Sequence, residues 1–217
     1  MDDTTQRRAD MVASQLAARG IQSPAVLHAM GTVPRERFVD EADAAVAYED
    51  APLPIAQGQT ISQPYIVAAM IEAADVRAGD VVLEVGAGSG YATAVLSLIA
   101  DRVCAVERHA ALVDAARERL QALGCFNVDL RQGDGSLGWP VPRSFDVIIV
   151  SAAAPQVPPA LKAQLAEGGR LVMPVGDEGE QRLVKVTRSS AQAFDEEVLT
   201  PVRFVPLVGA QGWPEDA

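Results

Sequence analysis

Residues 81–91 contain the clearest ligand-binding pattern in the chain. Their sequence, VVLEVGAGSGY, runs from an apolar strand through a glycine turn into a helix. Gly86, Gly88 and Gly90 let the backbone turn sharply and approach a ligand closely, and the N–H groups that open the next helix can hold hydroxyl or carboxylate oxygens. This glycine loop predicts a nucleotide-like ligand, although glycine turns after strands also arise for geometric reasons alone.

Acidic residues follow the next two predicted strands. Glu107 ends VCAVE, about twenty residues past the first glycine, where a carboxylate can accept hydrogen bonds from both hydroxyls of a ribose. Asp134 lies between Gly133 and Gly135 after the third strand, where it can accept from an adenine amino group; the alternative is a plain Asp-Gly turn. Together with the glycine loop, these carboxylates favour an adenosine.

A third candidate segment is QTISQPY, residues 59–65. Pro64 suits the first turn of a helix, which places Ser62 and Gln63 at or just before the helix N-terminus. A hydroxyl there, among unpaired backbone N–H groups at the positive end of the helix dipole, can hold an anion such as a carboxylate. The alternative is that Ser62 only caps the helix.

Strands and helices alternate around these segments. The sequence predicts a doubly wound α/β fold with a mostly parallel sheet, because ligand-suited residues follow successive strands. After residue 175 the alternation ceases, and strands over 181–188 and 202–208 are expected to form an antiparallel hairpin on the sheet edge. The predicted parallel strands are 81–85, 103–107, 128–131, 145–151 and 170–175, with helices over 91–100, 109–123 and 158–166, the last stopped by Gly168-Gly169.

Helices are also predicted before the glycine loop. An amphipathic helix over 7–19 ends at Gly20, and a second helix has Ser23 as its N-cap and Gly31 after its end. The proline-rich stretch 48–58 then reads as an irregular connection. A connection of this length in a compact domain is typical of a lid or a binding segment.

Composition limits the class of protein. The chain has 217 residues, 49% of them hydrophobic, which suits one domain with a full core. Its net charge of −11 argues against a nucleic-acid partner, and it has neither a signal-like N-terminus nor an apolar run long enough to span a membrane. Cys104 and Cys125 lack C-x-x-C spacing, so buried free thiols and a cytoplasmic location are expected. A monomer is the default expectation.

Missing motifs narrow the chemistry further. The chain has no phosphate-binding P-loop, no nucleophile elbow and no His/Cys cluster at metal-ligand spacing, so no metal is predicted. His28 has no catalytic partner spaced around it, and His109 begins a helix, so both favour structural roles. The G-x-G-x-G spacing is one residue shorter than most dinucleotide-binding turns. S-adenosylmethionine fits this pattern, with Glu107 for the ribose, Asp134 for the base and the glycine loop for the amino-acid end.

Several longer segments resemble one family, the protein-L-isoaspartate O-methyltransferases. They include LEVGAGSGY, VER at 106–108, GDG at 133–135, GGRLVMPVG at 168–176 and above all PLPIAQGQTISQPYIVA at 52–68. RADMVASQLAARGI, VPRERFV and VRFVPLV extend the resemblance over nearly the whole chain. The resemblance implies transfer of the methyl group of S-adenosylmethionine to the α-carboxylate of L-isoaspartyl residues in damaged proteins. The ester would then collapse to a succinimide, which can reopen as normal aspartate.

The resemblance also implies roles for particular residues. It makes the chain a single methyltransferase domain, with a helical and acceptor-site segment over 1–75 and a cofactor-binding core over 76–217. Ser62 is implied to be catalytic, and the implied substrate-binding residues are Thr60, Ile61, Ser62 and Gln63. The implied cofactor-binding residues are Glu84, Gly86, Gly88, Ser89, Gly90, Glu107, Arg108, Asp134 and Gly135.

Some features depart from the usual wording of the family. Ala56-Gln57 and Ala87 stand where relatives often have glycine and a hydroxyl residue, which leaves the shape of the acceptor pocket open. A methyltransferase acting on another carboxylate, such as a small metabolite, is the nearest alternative. A non-catalytic adenosine-binding protein and a nucleotide-dependent oxidoreductase are more distant alternatives. The chain lacks the proton-donating histidine or Tyr-Lys pair that an oxidoreductase would need near the site.

Overall fold

A computed structural model of the protein describes residues 3–177 and 179–215. Within these ranges seven strands form one sheet in the order β5-β4-β3-β6-β7-β8-β9, and two short strands, β1 and β2, form a separate antiparallel ribbon. The strands are β1 (Leu53–Pro54), β2 (Thr60–Ile61), β3 (Val81–Val85), β4 (Arg102–Glu107), β5 (Val128–Gln132), β6 (Phe145–Val150), β7 (Leu165–Gly176), β8 (Gln181–Arg188) and β9 (Phe194–Val202).

The helices cover both faces of the sheet. They are α1 (Asp3–Asp10), α2 (Pro24–Thr32), α3 (Pro64–Ala73), α4 (Tyr91–Ser97), α5 (Ala110–Ala122) and α6 (Pro159–Ala163). The chain steps outward from β3 through α4 and α5, then returns past β3 to β6 and β7 with α6 on the other face. In the described part of the chain, no helix is both long and apolar enough to cross a membrane.

The predicted doubly wound fold is therefore confirmed. Strands β5, β4, β3, β6 and β7 run parallel, and β8 and β9 extend the sheet by antiparallel pairing. Neighbouring residues along β3 belong to different cores: Val82 packs with the N-terminal helices, α3, α4 and α5, whereas Leu83 and Val85 pack with α6. Burial on both faces explains why β3 is apolar at every position except Glu84.

The N-terminal helices lie largely where the sequence predicts, although the first begins at Asp3 rather than at residue 7. The first helix continues beyond α1 through a π-helical turn, Met11–Leu16, and a 3₁₀ turn, Ala17–Arg19, and ends at Gly20 with φ of 100°. Ser23 caps α2 by accepting from the N–H of Val26, as predicted. The prediction that Gly31 follows the end of α2 is wrong, because α2 continues to Thr32 and ends only where Val33 becomes extended before a proline.

The prediction for residues 158–169 is wrong in its second half. Helix α6 ends at Ala163, and β7 already begins at Leu165, which pairs with Phe145. The register then shifts, so that Val147 pairs with Arg170. The intervening residues, including Gly168-Gly169, form a bulge within the strand rather than a helix stop. Helix α4 is also shorter than predicted, ending at Ser97 rather than at residue 100.

The late hairpin is confirmed, but its second strand lies earlier than predicted. Strand β9 covers Phe194–Val202, because the chain turns immediately after β8 with the N–H of Ser189 donating to the carbonyl of Ala193. This pairs Arg188 with Phe194 and leaves no room for a strand over 202–208 beside β8. Residues 203–208 instead cross the carboxyl edge of the sheet, where Ala153 exchanges backbone hydrogen bonds with Val205 and Leu207.

Replacing Gly169 with alanine is expected to destabilise the fold by about 1–3 kcal/mol, because the added methyl group would push neighbouring backbone atoms of the bulge out of place. A Cβ at Gly169 would lie 2.8 Å from the carbonyl oxygen of Ala166 and 3.0 Å from that of Phe145. Gly79→Ala is the matched control, since a Cβ there meets nothing within 4 Å. Urea unfolding measures both variants, and equal stabilities would show that the bulge is not tightly packed.

Candidate functional site

A cleft lies at the carboxyl ends of β3, β4 and β6. Ligands in open α/β sheets bind at this edge, where the strand order reverses. The glycine loop and the ends of β4 and β6 form its floor. Its walls come from residues 59–62, from α3 and from residues 205–208. The cleft therefore contains both the glycine loop and the QTIS part of the acceptor segment predicted from the sequence.

The glycine loop is held to β4 by backbone hydrogen bonds. The N–H groups of Gly86 and Ala87 donate to the carbonyl of Val106, at 2.8 and 3.3 Å. Gly86, Gly88 and Gly90 have φ of 84°, 54° and 88°, in the left-handed region that favours glycine. The alternating glycines are thus required by the path of the loop itself.

The carboxylate of Glu107 joins the glycine loop to the start of α5. The side chain is 6% exposed, and one oxygen accepts from the N–H of Gly88 at 3.0 Å while the other accepts from the N–H of His109 at 2.9 Å. Each oxygen of an ionised carboxylate can accept a second hydrogen bond. Glu107 also lines the cleft, so its remaining acceptor capacity is available to a ligand there.

Glu84 is the second buried carboxyl group at the cleft. It is 0% exposed, and its Oε2 accepts from the hydroxyl of Thr93, whereas its Oε1 has no partner among the described residues. Burial raises the pKa of Glu84 to about 8, against the opposing effect of Thr93, and the nearby charge of Glu107 raises it further. A buried oxygen without a partner is costly. A ligand N–H or ammonium group would satisfy it, so the site fits the amino group of an amino-acid tail.

The acceptor segment, residues 59–65, contributes residues 59–62 to the wall of the cleft that also contains the glycine loop. Its Thr60 and Ile61 form β2, which pairs with β1, and a Cβ at Gly88 would lie 3.5 Å from Cδ1 of Ile55 in the turn between these two strands. Pro64 occupies the first turn of α3, as predicted. The N-cap position belongs to Gln63, and no side chain caps the helix, so the alternative that Ser62 is only a cap is wrong. The half-buried Ser62 lines the cleft instead.

The cleft brings together most of the predicted site residues. Those that line it are Thr60, Ile61, Ser62, Glu84, Gly86, Gly88, Ser89, Glu107, Arg108 and Gly135. Gln63 and Gly90 are not among its lining residues. The side chain of Gln63 donates to the carbonyl of Asp50, and Gly90 lies against α5, where a Cβ would meet that of Ala116 at 3.1 Å.

Asp134 also lies outside the cleft lining. Its Oδ1 accepts from the N–H and the hydroxyl of Ser136, at 2.9 and 2.6 Å, and its Oδ2 accepts from the N–H of Ala210 at 2.8 Å. It lines a second, more open pocket beside Trp213. The Asp-Gly turn left open as an alternative is therefore present, and the adenine contact of Asp134 stays a prediction.

The cleft also contains residues for which the sequence predicted no ligand-binding role. Tyr91 begins α4 directly after the glycine loop, and burial raises its pKa. His109 is the N-cap of α5, as its structural role predicts, but it also faces the cleft. Tyr91 follows the glycine loop after β3, and His109 follows Glu107 at the end of β4. These positions in the sequence could have indicated that both residues lie at the ligand site. Residues 205–208 had no such signal, because only the tertiary fold brings them to this edge.

Sulfur and metal chemistry have no visible role in the cleft. Cys104 is buried and Cys125 half-buried, and both are free thiols, so complete burial is confirmed only for Cys104. Burial raises the pKa of the Cys104 thiol, which disfavours the reactive thiolate. Within residues 3–177 and 179–215, no group of three or more histidine, cysteine or acidic residues is arranged to hold a metal ion.

The sequence is similar to one protein family over nearly its whole length. The family model for protein-L-isoaspartate(D-aspartate) O-methyltransferase matches residues 6–212. A protein-L-isoaspartate O-methyltransferase of Methylorubrum populi is 58% identical over 212 residues, covering 96% of this chain and 100% of the relative. Protein-L-isoaspartate O-methyltransferase 1 of Rhodopseudomonas palustris is 56% identical over 216 residues, covering 98% of this chain and 88% of the relative.

Solved structures give the same result. A protein-L-isoaspartate O-methyltransferase structure superposes with a TM-score of 0.86 at 28% identity, covering 94% of this chain and 67% of the other. A Plasmodium falciparum protein described as a protein-L-isoaspartate O-methyltransferase, in complex with S-adenosyl-L-homocysteine, superposes with a TM-score of 0.79 at 26% identity, covering 91% of this chain and 96% of the other.

The raised pKa of Glu84 predicts a characteristic loss of stability with rising pH. The unfolded group titrates near 4.5 and the folded group near 8. Below the lower value both states hold the proton, and between the two values only the folded state does. The free energy of unfolding should therefore fall by up to about 1.4 kcal/mol per pH unit across this window.

Glu84→Gln removes this titration, so its stability should depend less on pH than that of the wild type. The exposed Glu118→Gln is the matched control and should follow the wild type. Urea unfolding between about pH 5 and pH 8 measures all three proteins. Parallel curves for wild type and Glu84→Gln would show that Glu84 is ionised in the folded protein.

Proposed function

The chain belongs to the protein-L-isoaspartate(D-aspartate) O-methyltransferase family, and we propose that it transfers the methyl group of S-adenosyl-L-methionine to the α-carboxylate of L-isoaspartyl residues in damaged proteins and peptides. The observation that carries the proposal is that Thr60 and Ser62 line the same cleft as the glycine loop, Glu84 and Glu107. The residues proposed to hold the donor and those proposed to hold the acceptor thus lie at one sheet edge.

Two carboxyl groups and the glycine loop would hold the donor. When bound, S-adenosyl-L-methionine supplies an electrophilic methyl group. Glu107 would accept from the ribose hydroxyls while keeping its bonds to Gly88 and His109. The unpartnered Oε1 of Glu84 would accept from the ammonium of the amino-acid end. Since the free Glu84 holds a proton at neutral pH, pairing with an ammonium would release that proton.

The acceptor needs positioning more than activation. A carboxylate with an ordinary pKa of about 4 is already ionised at neutral pH, so no general base is required. Hydroxyl donors from Thr60 and Ser62 would orient the attacking oxygen without neutralising its charge. A directly paired lysine or arginine would neutralise that charge. Correct alignment of two reactants can contribute roughly 7–11 kcal/mol in favourable cases.

The acceptor end of the cleft suits a polypeptide. Thr60 is exposed and also lines the cleft, so the cleft opens to the protein surface at this residue. An isoaspartyl residue within a longer chain could therefore reach the site from outside. A small carboxylate has no need of such an opening. The expected monomeric state, the cytoplasmic location and the absence of nucleic-acid and membrane partners stay predictions.

The proposal predicts methyl transfer that depends on the acceptor linkage. Purified protein with radiolabelled S-adenosyl-L-methionine should give base-labile label in an isoaspartyl peptide and none in the aspartyl peptide of the same sequence. Base lability distinguishes a methyl ester from N-methylation. Equal labelling of both peptides would contradict the acceptor assignment. If neither peptide is labelled although calorimetry shows donor binding, the cofactor assignment holds and the proposed methyl transfer to isoaspartyl residues is refuted.

Ser62→Ala tests the role of the hydroxyl. Turnover of the isoaspartyl peptide is expected to fall roughly 10- to 100-fold, because a hydrogen bond to a charged group contributes about 1.5–3 kcal/mol. Donor affinity, measured by calorimetry, should not change. Ser14→Ala is the matched control, since that exposed hydroxyl donates only to the carbonyl of Asp10 in α1. Turnover equal to that of the control would show that the Ser62 hydroxyl does not take part in the reaction.

A further inference from the structure

Arg35 is a fully buried arginine for which the described part of the chain supplies no acidic partner. It begins a short 3₁₀ turn, Arg35–Phe38, and is 0% exposed. No carboxylate of the described residues forms an ion pair with it, and its Nη1 has no hydrogen-bond partner among them. A buried charge is costly unless it is paired, so its retention requires an explanation.

The guanidinium of Arg35 joins three separate segments. Its Nε donates to the carbonyl of Ala47 at 2.7 Å, and its Nη2 donates to the carbonyl of Ser62 at 2.8 Å. Its Cζ lies 4.8 Å from the centroid of the Tyr91 ring. Ser62 and Tyr91 both line the cleft, although Arg35 itself does not. Arg35 therefore lies directly behind the acceptor segment.

Arg170 shows what a purely structural arginine looks like in this protein. Its side chain is 14% exposed and donates to the carbonyls of Ala74 and Asp75 at the amino edge of the sheet, much as Arg35 does at the carboxyl edge. Unlike Arg35, it forms an ion pair with Asp80 at 2.7 Å. The positive charge of Arg170 is neutralised, and that of Arg35 is not.

Two carbonyls and an aromatic face compensate the charge of Arg35 only in part. Burial lowers its pKa, and nearby Tyr91 acts in the opposite direction. An arginine in a protein nevertheless stays protonated, because its unperturbed pKa is so high. The remaining positive potential acts on the cleft wall at Ser62, where the proposed acceptor carries a negative charge.

We propose that Arg35 is a positioning residue for the acceptor: it fixes the peptide carbonyl of Ser62, and its uncompensated charge favours a carboxylate bound at the Ser62 hydroxyl. This inference rests on the proposed function. Donation to the Ser62 carbonyl also polarises the peptide unit and makes the N–H of Gln63 a stronger donor. Because the charge acts through Ser62 rather than by direct pairing, the acceptor oxygen keeps its nucleophilicity.

The test compares Arg35→Gln, Arg35→Lys and the control Arg170→Gln by two measurements. Steady-state kinetics with an isoaspartyl peptide gives the KM for the acceptor, and calorimetry gives the Kd for the donor. Arg35→Gln is expected to raise the peptide KM by about tenfold or more and to leave the donor Kd unchanged. Arg35→Lys keeps the charge but not the planar fork, so its effect should be intermediate.

Amide hydrogen exchange on the protein alone is the second measurement. Arg35→Gln should speed exchange over residues 59–66, whereas Arg170→Gln should speed it over residues 74–80. Both variants are expected to lose stability, so a loss of stability alone does not identify a positioning role. That role is identified by faster exchange at residues 59–66 and by a raised KM for the peptide with an unchanged Kd for the donor. If Arg35→Gln does not fold, Arg35→Lys decides by the same two readouts.

The outcomes separate this inference from the proposed function. Unchanged exchange over 59–66 together with an unchanged peptide KM would overturn the role of Arg35, as would identical changes in Arg170→Gln. A wild-type protein that methylates no isoaspartyl peptide would refute the proposed function instead. In that case the exchange comparison alone would decide whether Arg35 holds the acceptor segment.

Discussion

The bonds that Glu107 accepts from the N–H groups of Gly88 and His109 are the constraint on which the rest of the site depends. They tie the glycine loop after β3 to the N-cap residue of α5, which follows β4. Without a carboxylate at that point, two backbone donors at the floor of the cleft would lose their partner. The same side chain faces the cleft, so the residue that shapes the loop is also the one best placed to bind the ribose of the donor.

The ionisable groups at and behind the cleft are only partly satisfied by the protein itself. Among the described residues, one oxygen of Glu84 and one nitrogen of Arg35 have no hydrogen-bond partner, and Arg35 has no counter-ion. The orphan oxygen of Glu84 suits the ammonium of the donor, and the positive charge of Arg35 suits the carboxylate of the acceptor. Buried groups that break the rules of a stable core are expected at functional sites. The two ligands of the proposed reaction would complete them.

Features governed by neighbouring residues were predictable from the sequence. Ser23 caps α2, Gly20 ends the first helix, Pro64 opens α3, and the glycine loop joins β3 to α4, because each depends on local backbone chemistry. Features governed by distant partners were not. The bulge beside Gly169 is set by Phe145, the start of β9 by its pairing with β8, and the contacts of Asp134 by Ala210. No local pattern encodes such long-range contacts. The sequence therefore placed the last strand over 202–208 rather than at β9, and it did not predict that residues 205–208 line the cleft.

A crystal structure of the protein with S-adenosyl-L-homocysteine would test the central claim most directly. The account predicts both ribose hydroxyls within hydrogen-bonding distance of Glu107, with its bond from the Gly88 N–H retained, and the amino group of the ligand on Oε1 of Glu84. A ribose placed away from Glu107, or an amino group bound elsewhere with Oε1 of Glu84 still unpartnered, would contradict it.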